Sequence, residues 1–314
     1  MDEVLKSEAS EQPRATVASA TRQLYAGIHE RQIAEGTSAR LPNYLEFINL
    51  DVTGLNCLDV GAGSTARDGI RLLEAGAASV TLVDVGVDWM PTANLEFKAR
   101  RFVTDRYRLI DVDNWILAAA DRRFDLITCR GVLHHIEEPH ATMRAVTRDL
   151  VPGGYFYLQL IGKGGIVRNF VMHDLRDLYR SDKQFRRFMT LEPEEMVAQL
   201  VAGLVELAED RDRKLPQREA QLLEALAEGI DVDLMLTLKD RVMSPIYTQY
   251  DVPMAEELLA EHGLRVVQRV FPTPQFGNIR SILEPVYAHP DRPLSRILMG
   301  SGDPHLLAQK PHSP

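Results

Sequence analysis

Cysteine is scarce: the 314 residues hold two, Cys57 and Cys129, each inside an apolar run that reads as a buried strand. That pattern argues against a disulfide framework or a cysteine metal site and for two reduced core thiols. Long apolar runs are missing too, since none approaches the roughly eighteen residues of a membrane span. The opening Met1-Asp2-Glu3-Val4-Leu5-Lys6 has neither the basic nor the apolar region of a signal peptide, so the expectation is a cytoplasmic protein with no membrane partner. Positive charge is in deficit, 36 Lys and Arg against 45 Asp and Glu, a net charge of −9 that argues against non-specific binding to nucleic acid. There is no internal repeat or low-complexity segment. What remains, 45% hydrophobic and 26% charged residues, is an ordinary globular composition with ample core material.

The informative stretch is Cys57-Leu58-Asp59-Val60-Gly61-Ala62-Gly63, followed by Val80-Thr81-Leu82-Val83-Asp84. An apolar run ending in Asp-x-Gly-x-Gly reads as a buried parallel strand leaving its sheet through a turn open to a nucleotide-like ligand. Asp84 ends the next strand, where a carboxylate can accept from ribose hydroxyls. Gly61, Gly63 and Ala66 also fit a loose dinucleotide fingerprint, so the loop alone does not separate NAD from S-adenosylmethionine (SAM).

Strand and helix patterns alternate from 56 to 161, which predicts a parallel sheet covered on both faces with ligand at the carboxyl ends of the strands. Five regions follow: an N-terminal helical cap over 1–50, a nucleotide-binding core over 51–162, a helical insertion over 163–250, a closing helix and strands over 251–301, and a disordered tail over 302–314. In the cap, Val17, Leu24, Tyr25, Ile28 and Ile33 recur at helical spacing between about 15 and 35. The insertion predicts helices over 166–189, 193–209, 216–228 and 233–243, and later strands are expected at 265–271 and 296–300.

Leu58-Asp59-Val60-Gly61-Ala62-Gly63, Leu82-Val83-Asp84, Asp111-Val112, the run from Phe124 through Arg130 to His134-His135-Ile136, and Leu150-Val151-Pro152-Gly153-Gly154 stand in a telling order. Over about 55–162 the chain resembles the class I SAM-dependent methyltransferases, although Thr65 stands where the family usually has a third glycine. The resemblance implies an α/β Rossmann-like sheet of parallel strands with an antiparallel closing strand, and SAM as cofactor. It implies that Asp59, Gly61 and Gly63 line the methionine part, Asp84 holds the ribose, Asp111 and Val112 meet the adenine, and Arg130 passes beside the amino-acid end.

For the methyl acceptor, His135 is the candidate base, because histidine titrates near neutrality. Tyr247 and Tyr250 are candidates to surround the sulfonium through cation–π attraction. Tyr25, Asn43 and Tyr44 from the cap, with Arg168, Arg176 and Arg180 from the insertion, are candidate substrate contacts; an arginine can hold a carboxylate bidentately. A zinc reading of the His134 to His140 segment fails the spacing of known ligand sets, so no metal is expected. The chain lacks the Asn/Asp-Pro-Pro-aromatic motif that, in resembling families, marks methylation of planar amino groups. The expectation is therefore a methyltransferase acting on a small anionic or zwitterionic metabolite, with base-free S-methylation of a thioether such as methionine as an alternative. An NAD-dependent oxidoreductase and a non-catalytic SAM-binding protein are the rivals from other classes. Oligomeric state is not fixed by the sequence, a homodimer being compatible with it.

Overall fold

Glycines and short polar turns cut the chain into alternating apolar runs, and the computed structural model resolves these into one sheet with helices on both faces. It describes residues 24, 25, 28, 31, 43–117, 123–166, 172–209, 217–272, 281, 283–300 and 302–312. The core runs β1 (Asn56–Val60), α1 (Arg67–Glu74), β2 (Ser79–Asp84), α2 (Met90–Ala99), β3 (Tyr107–Asp111), α3 (Val112–Leu117), β4 (Phe124–Arg130), α4 (Pro139–Asp149) and β5 (Leu150–Gln159). The insertion holds α5 (His173–Ser181), α6 (Lys183–Met189), α7 (Pro193–Glu209), α8 (Gln217–Glu228) and α9 (Val232–Met243). The chain then returns through α10 (Val252–Glu261), β6 (Arg265–Arg269), α11 (Glu284–Ala288), α12 (Pro293–Met299) and β7 (His305–Gln309).

The strand order is β3-β2-β1-β4-β5-β7-β6. β1 to β5 pair in parallel, and β7 runs antiparallel between β5 and β6. The order reverses between β1 and β4, so their carboxyl ends, carrying Asp59 and Arg130, open onto the crevice where such sheets bind ligands. Leu58, Val60, Ile127, Phe156 and Leu158 pack on one face with residues of α4 and α10. Cys57, Leu82 and Leu126 pack on the other with α1 and α2. Burial pushes both cysteine thiols up to about 12, which keeps them protonated and inert. The insertion has a separate small cluster around Met189, Met196, Met235 and Val242.

Three expectations change. The tail over 302–314 is not a disordered appendage, because His305–Gln309 supplies β7 with Leu306, Leu307 and Ala308 buried. The expected strand at 296–300 is instead helix α12, with Pro293 in its first turn and Gly300 ending it at φ 65°. A short apolar run does not distinguish strand from helix, and here the flanking proline and glycine decide. The helix expected over 166–189 breaks at Asp182, which leaves helical geometry to cap α6 by accepting from the Phe185 N–H. Of the expected N-terminal face, Leu24, Tyr25 and Ile28 are helical, whereas Val17 and Ile33 lie outside the described residues.

Candidate active site

The turn after β1 is built by hydrogen bonds to β2. Gly61 at φ 80° donates its N–H to the Val83 carbonyl at 2.8 Å. A Cβ at Gly61 would lie 2.0 Å from Cγ2 of Val132, so this glycine is required by the loop after β4 closing over the turn. Gly63 donates its N–H to Oδ2 of Asp84 at 2.7 Å, and Val85 donates to Oδ1 at 2.6 Å. Asp84 therefore ties the glycine turn to the end of β2, while a carboxylate's about four acceptor positions leave it capacity for a ribose hydroxyl. Asp111 sits beside it in register and accepts from the Asp113 N–H. Val112 opens α3, so its N–H belongs to a first turn that has no partner within the helix.

Beneath the turn lies a buried charge network. Asp59 accepts from the Thr128 hydroxyl at 2.8 Å through Oδ1. Burial first, and the charge of Asp68 next, push its carboxyl up to about 7. Arg130 donates to both oxygens of Asp68 at 2.8 and 2.7 Å. Burial would raise Asp68, yet Arg130, Arg67 and Arg71 together hold it below the usual carboxylate value. The Arg130 guanidinium lies 4.9 Å from the Tyr44 ring centroid, and Tyr44 stacks on Tyr157 at 4.7 Å. Among the described residues, Tyr44 Oη, Asp59 Oδ2, Ser64 Oγ and Arg130 Nε of this region are buried without a hydrogen-bond partner. A carboxylate oxygen suits an ammonium and a guanidinium N–H suits a carboxylate, so the set fits the amino-acid end of SAM. Tyr44, expected as an acceptor contact, is placed in this network between Arg130 and Tyr157.

A second cluster forms where the single turn Leu133–His135 meets the insertion. The His135 Nδ1 lies 2.9 Å from the Ile246 carbonyl, which only accepts, so Nδ1 carries the proton and Nε2 presents the lone pair. Ser244 Oγ is 2.9 Å from the same nitrogen and donates to the same carbonyl. The ring of Tyr25 is 5.4 Å from that of His135, and the ring of Tyr247 is 6.0 Å away. Burial lowers the His135 pKa, with Asp240 opposing. Tyr25, His135, Tyr247 and Arg176, widely separated in sequence, thus come together, and Asp240 and Ser244 join them. Sequence reasoning missed both, because Asp240 falls within an amphipathic helix where an acid reads as a solvated face. It also missed Asp68, whose place in the first turn of α1 reads as ordinary helix-end charge.

Other candidates go elsewhere. Tyr250 packs in the main core beside Leu258 rather than lining the cluster, since its backbone is fixed to Ile161 and Lys163. Asn43 caps the turn Tyr44–Glu46. Arg180 is exposed and paired with Asp177. Arg176 stacks 5.0 Å over Tyr247, and its Nη1 and Nη2 donate to the carbonyls ending α9, Arg241 at 2.7 Å and Ser244 at 3.0 Å. Arg168 lies outside the described residues. Among the described residues, no group of three or more His, Cys, Asp or Glu could hold a metal ion, and no helix is long and apolar enough to cross a membrane.

Residues 58–158 match the family model described as a methyltransferase domain. A ubiquinone biosynthesis O-methyltransferase of Xanthomonas oryzae pv. oryzae (strain PXO99A) is 32% identical over 127 residues, 39% of this chain and 50% of that protein. Another, of Psychrobacter arcticus, is 32% identical over 149 residues, 45% of this chain and 56% of that protein. The chain spans about half the length of the curated relatives it matches. Among solved structures, PKMT2 from Rickettsia typhi superposes with a TM-score of 0.56 at 13% identity, covering 88% of this chain and 54% of that one. That likeness concerns the fold.

Proposed function

We propose, from the premise that residues 58–158 are a methyltransferase domain of the class I SAM-dependent superfamily, that this protein methylates a hydroxyl oxygen of a small-molecule acceptor. The observation that carries the oxygen reading is His135, half-buried, fixed through Nδ1, and presenting the Nε2 lone pair among Tyr25, Tyr247 and Asp240. A hydroxyl must lose its proton to become a strong nucleophile, whereas a thioether needs no base. The curated relatives named O-methyltransferases support the same choice.

Bound SAM supplies a methyl carbon activated by a positively charged sulfur. In this reading Asp84 holds the ribose, and Asp59, Ser64, Tyr44 and Arg130 hold the amino-acid end. His135 takes the acceptor's proton at Nε2; the O–H bonding pair stays on oxygen for the new bond to the methyl carbon, and the pair of the broken carbon–sulfur bond leaves with the sulfur. The insertion closes the acceptor side against water, so much of the acceleration comes from positioning.

The test is labelled methyl transfer screened against phenols, hydroxy acids, amino acids and RNA, repeated with His135→Ala. Turnover of a hydroxyl compound that falls on the order of a hundred-fold or more in the variant is the expected result. Full activity of His135→Ala on a thioether would replace the oxygen reading with base-free sulfur methylation. Turnover of RNA alone would remove the small-molecule reading.

A further inference from the structure

The insertion reaches the reacting side through one carboxylate. Oδ1 of Asp240, on α9, lies 3.9 Å from Nε2 of His135, the nitrogen that Ile246 leaves with a free lone pair. It also accepts from the Tyr25 hydroxyl at 2.8 Å. Lone pair and carboxylate oxygen are both acceptors, and they face each other across a gap with no hydrogen to share. Such a pair is unfavourable until a proton enters between them. The other charged or titratable groups around the ring are His134 on the same turn, Arg176 on α5, Arg241 beside Asp240, and Tyr25 and Tyr247. Arg176 and Arg241 oppose a positive charge on the imidazole, whereas the Asp240 carboxylate and then the Ile246 carbonyl favour it.

We propose that Asp240 is a positioning residue for the His135 base: it stabilises the imidazolium formed when the acceptor's proton reaches Nε2, and the Tyr25 hydroxyl holds the carboxylate in place for this. The proposal rests on the oxygen-methylation reading above. The proton leaves the acceptor oxygen for the Nε2 lone pair, the O–H electron pair remains on oxygen, and the new N–H lies against Oδ1 of Asp240. Three separate segments, the N-terminal helix, the loop after β4 and the insertion, are thereby needed to complete the base.

The test uses the full chain, follows the His135 ring by NMR through a pH titration without ligands, and then measures methyl transfer across pH. Asp240→Asn is expected to lower the pH at which His135 titrates, move the rising limb of the kcat profile the same way, and reduce plateau kcat on the order of ten- to hundred-fold. The KM for SAM should stay within about twofold, because the change lies on the acceptor side. Asp240→Glu, which keeps the charge, should recover the His135 titration. Tyr25→Phe removes a donor from the carboxylate and should move that titration upward, which gives a readout even where Asp240→Asn does not fold. An unmoved His135 titration in all three variants, or an unchanged kcat in Asp240→Asn while His135→Gln is inactive, overturns the proposal and leaves the base reading standing. Undiminished oxygen methylation by His135→Gln removes the base reading itself, and the role of Asp240 with it.

Discussion

Asp59 and Asp68 are both buried acids near Arg130, and their surroundings send them in opposite directions. Asp68 has two oxygens bonded to Arg130, so Asp68→Asn would strand a buried guanidinium, and a loss of about 3–5 kcal/mol is expected in denaturant unfolding. Asp59 keeps one oxygen without a partner, and its raised pKa means the folded state binds its proton more tightly than the unfolded chain does. That stability is fully present below an unfolded Asp value of about 3.9 and is lost as pH rises. The loss runs up through the folded value of about 7. Thermal melts without ligand should therefore show wild type weakening from mildly acidic to neutral pH and Asp59→Asn weakening less, while SAM binds the variant more weakly. A site that spends stability on a charge awaiting its ligand gives that pairing of outcomes; equal pH dependence in both proteins would mean Asp59 is not the titrating acid. Asp84 is different again, since its carboxylate is bonded to two backbone N–H groups. Asp84→Ala should lower SAM affinity roughly ten- to hundred-fold by calorimetry, and it should also loosen the glycine turn, visible as faster amide exchange at Gly63.

At the scale of elements, the last strand is the sharpest test of the fold. β7 sits between β5 and β6, so ending the chain before His305 would leave two unpaired strand edges and uncover Tyr157 and Phe156. Truncation there is expected to give insoluble protein, and Leu306→Ala alone should cost about 2–5 kcal/mol. Soluble, cooperatively melting protein after the truncation would mean that the sheet closes without this strand. The same region shows why legibility varied along the chain. β1 to β5 could be read because each is rich in apolar residues and they alternate with helix patterns at regular spacing. β7 offers only Leu306-Leu307-Ala308 among polar residues, and its burial comes from partners about 150 residues away that no local window contains. The turn after β1 was legible for a related reason, because Asp59 and Asp84 stand at the ends of their strands and Gly61 and Gly63 follow the first. The acceptor side was legible only as separate names. His135, Tyr25, Tyr247 and Arg176 stood out individually, but only tertiary structure shows that Arg176 caps α9 and that Asp240 faces His135.

For the whole molecule, the question is what the insertion does between turnovers. Its methionine-lined cluster is separate from the two clusters that sandwich the sheet, so it can shift as a unit without exposing the main core. Among the described residues, its polar ties to the site include Asp240 with Tyr25, Ser244 with His135, and Thr248 donating to the His134 carbonyl, while Tyr250 anchors its end in the main core. Arg31 of the N-terminal segment adds exposed pairs to Glu192 and Glu194, which at the surface contribute little. A body held by polar contacts, with its own modest core, belongs to the low-stability end of a structure and suits a lid. Amide exchange over 173–243 should therefore be faster than over β1 to β5 in the free protein, and should slow when cofactor and acceptor bind together. Cofactor alone should protect mainly the turn after β1 and the end of β2. Equal exchange over 173–243 in free and doubly bound protein would instead make the insertion a fixed wall, with access to His135 set by the N-terminal segment alone.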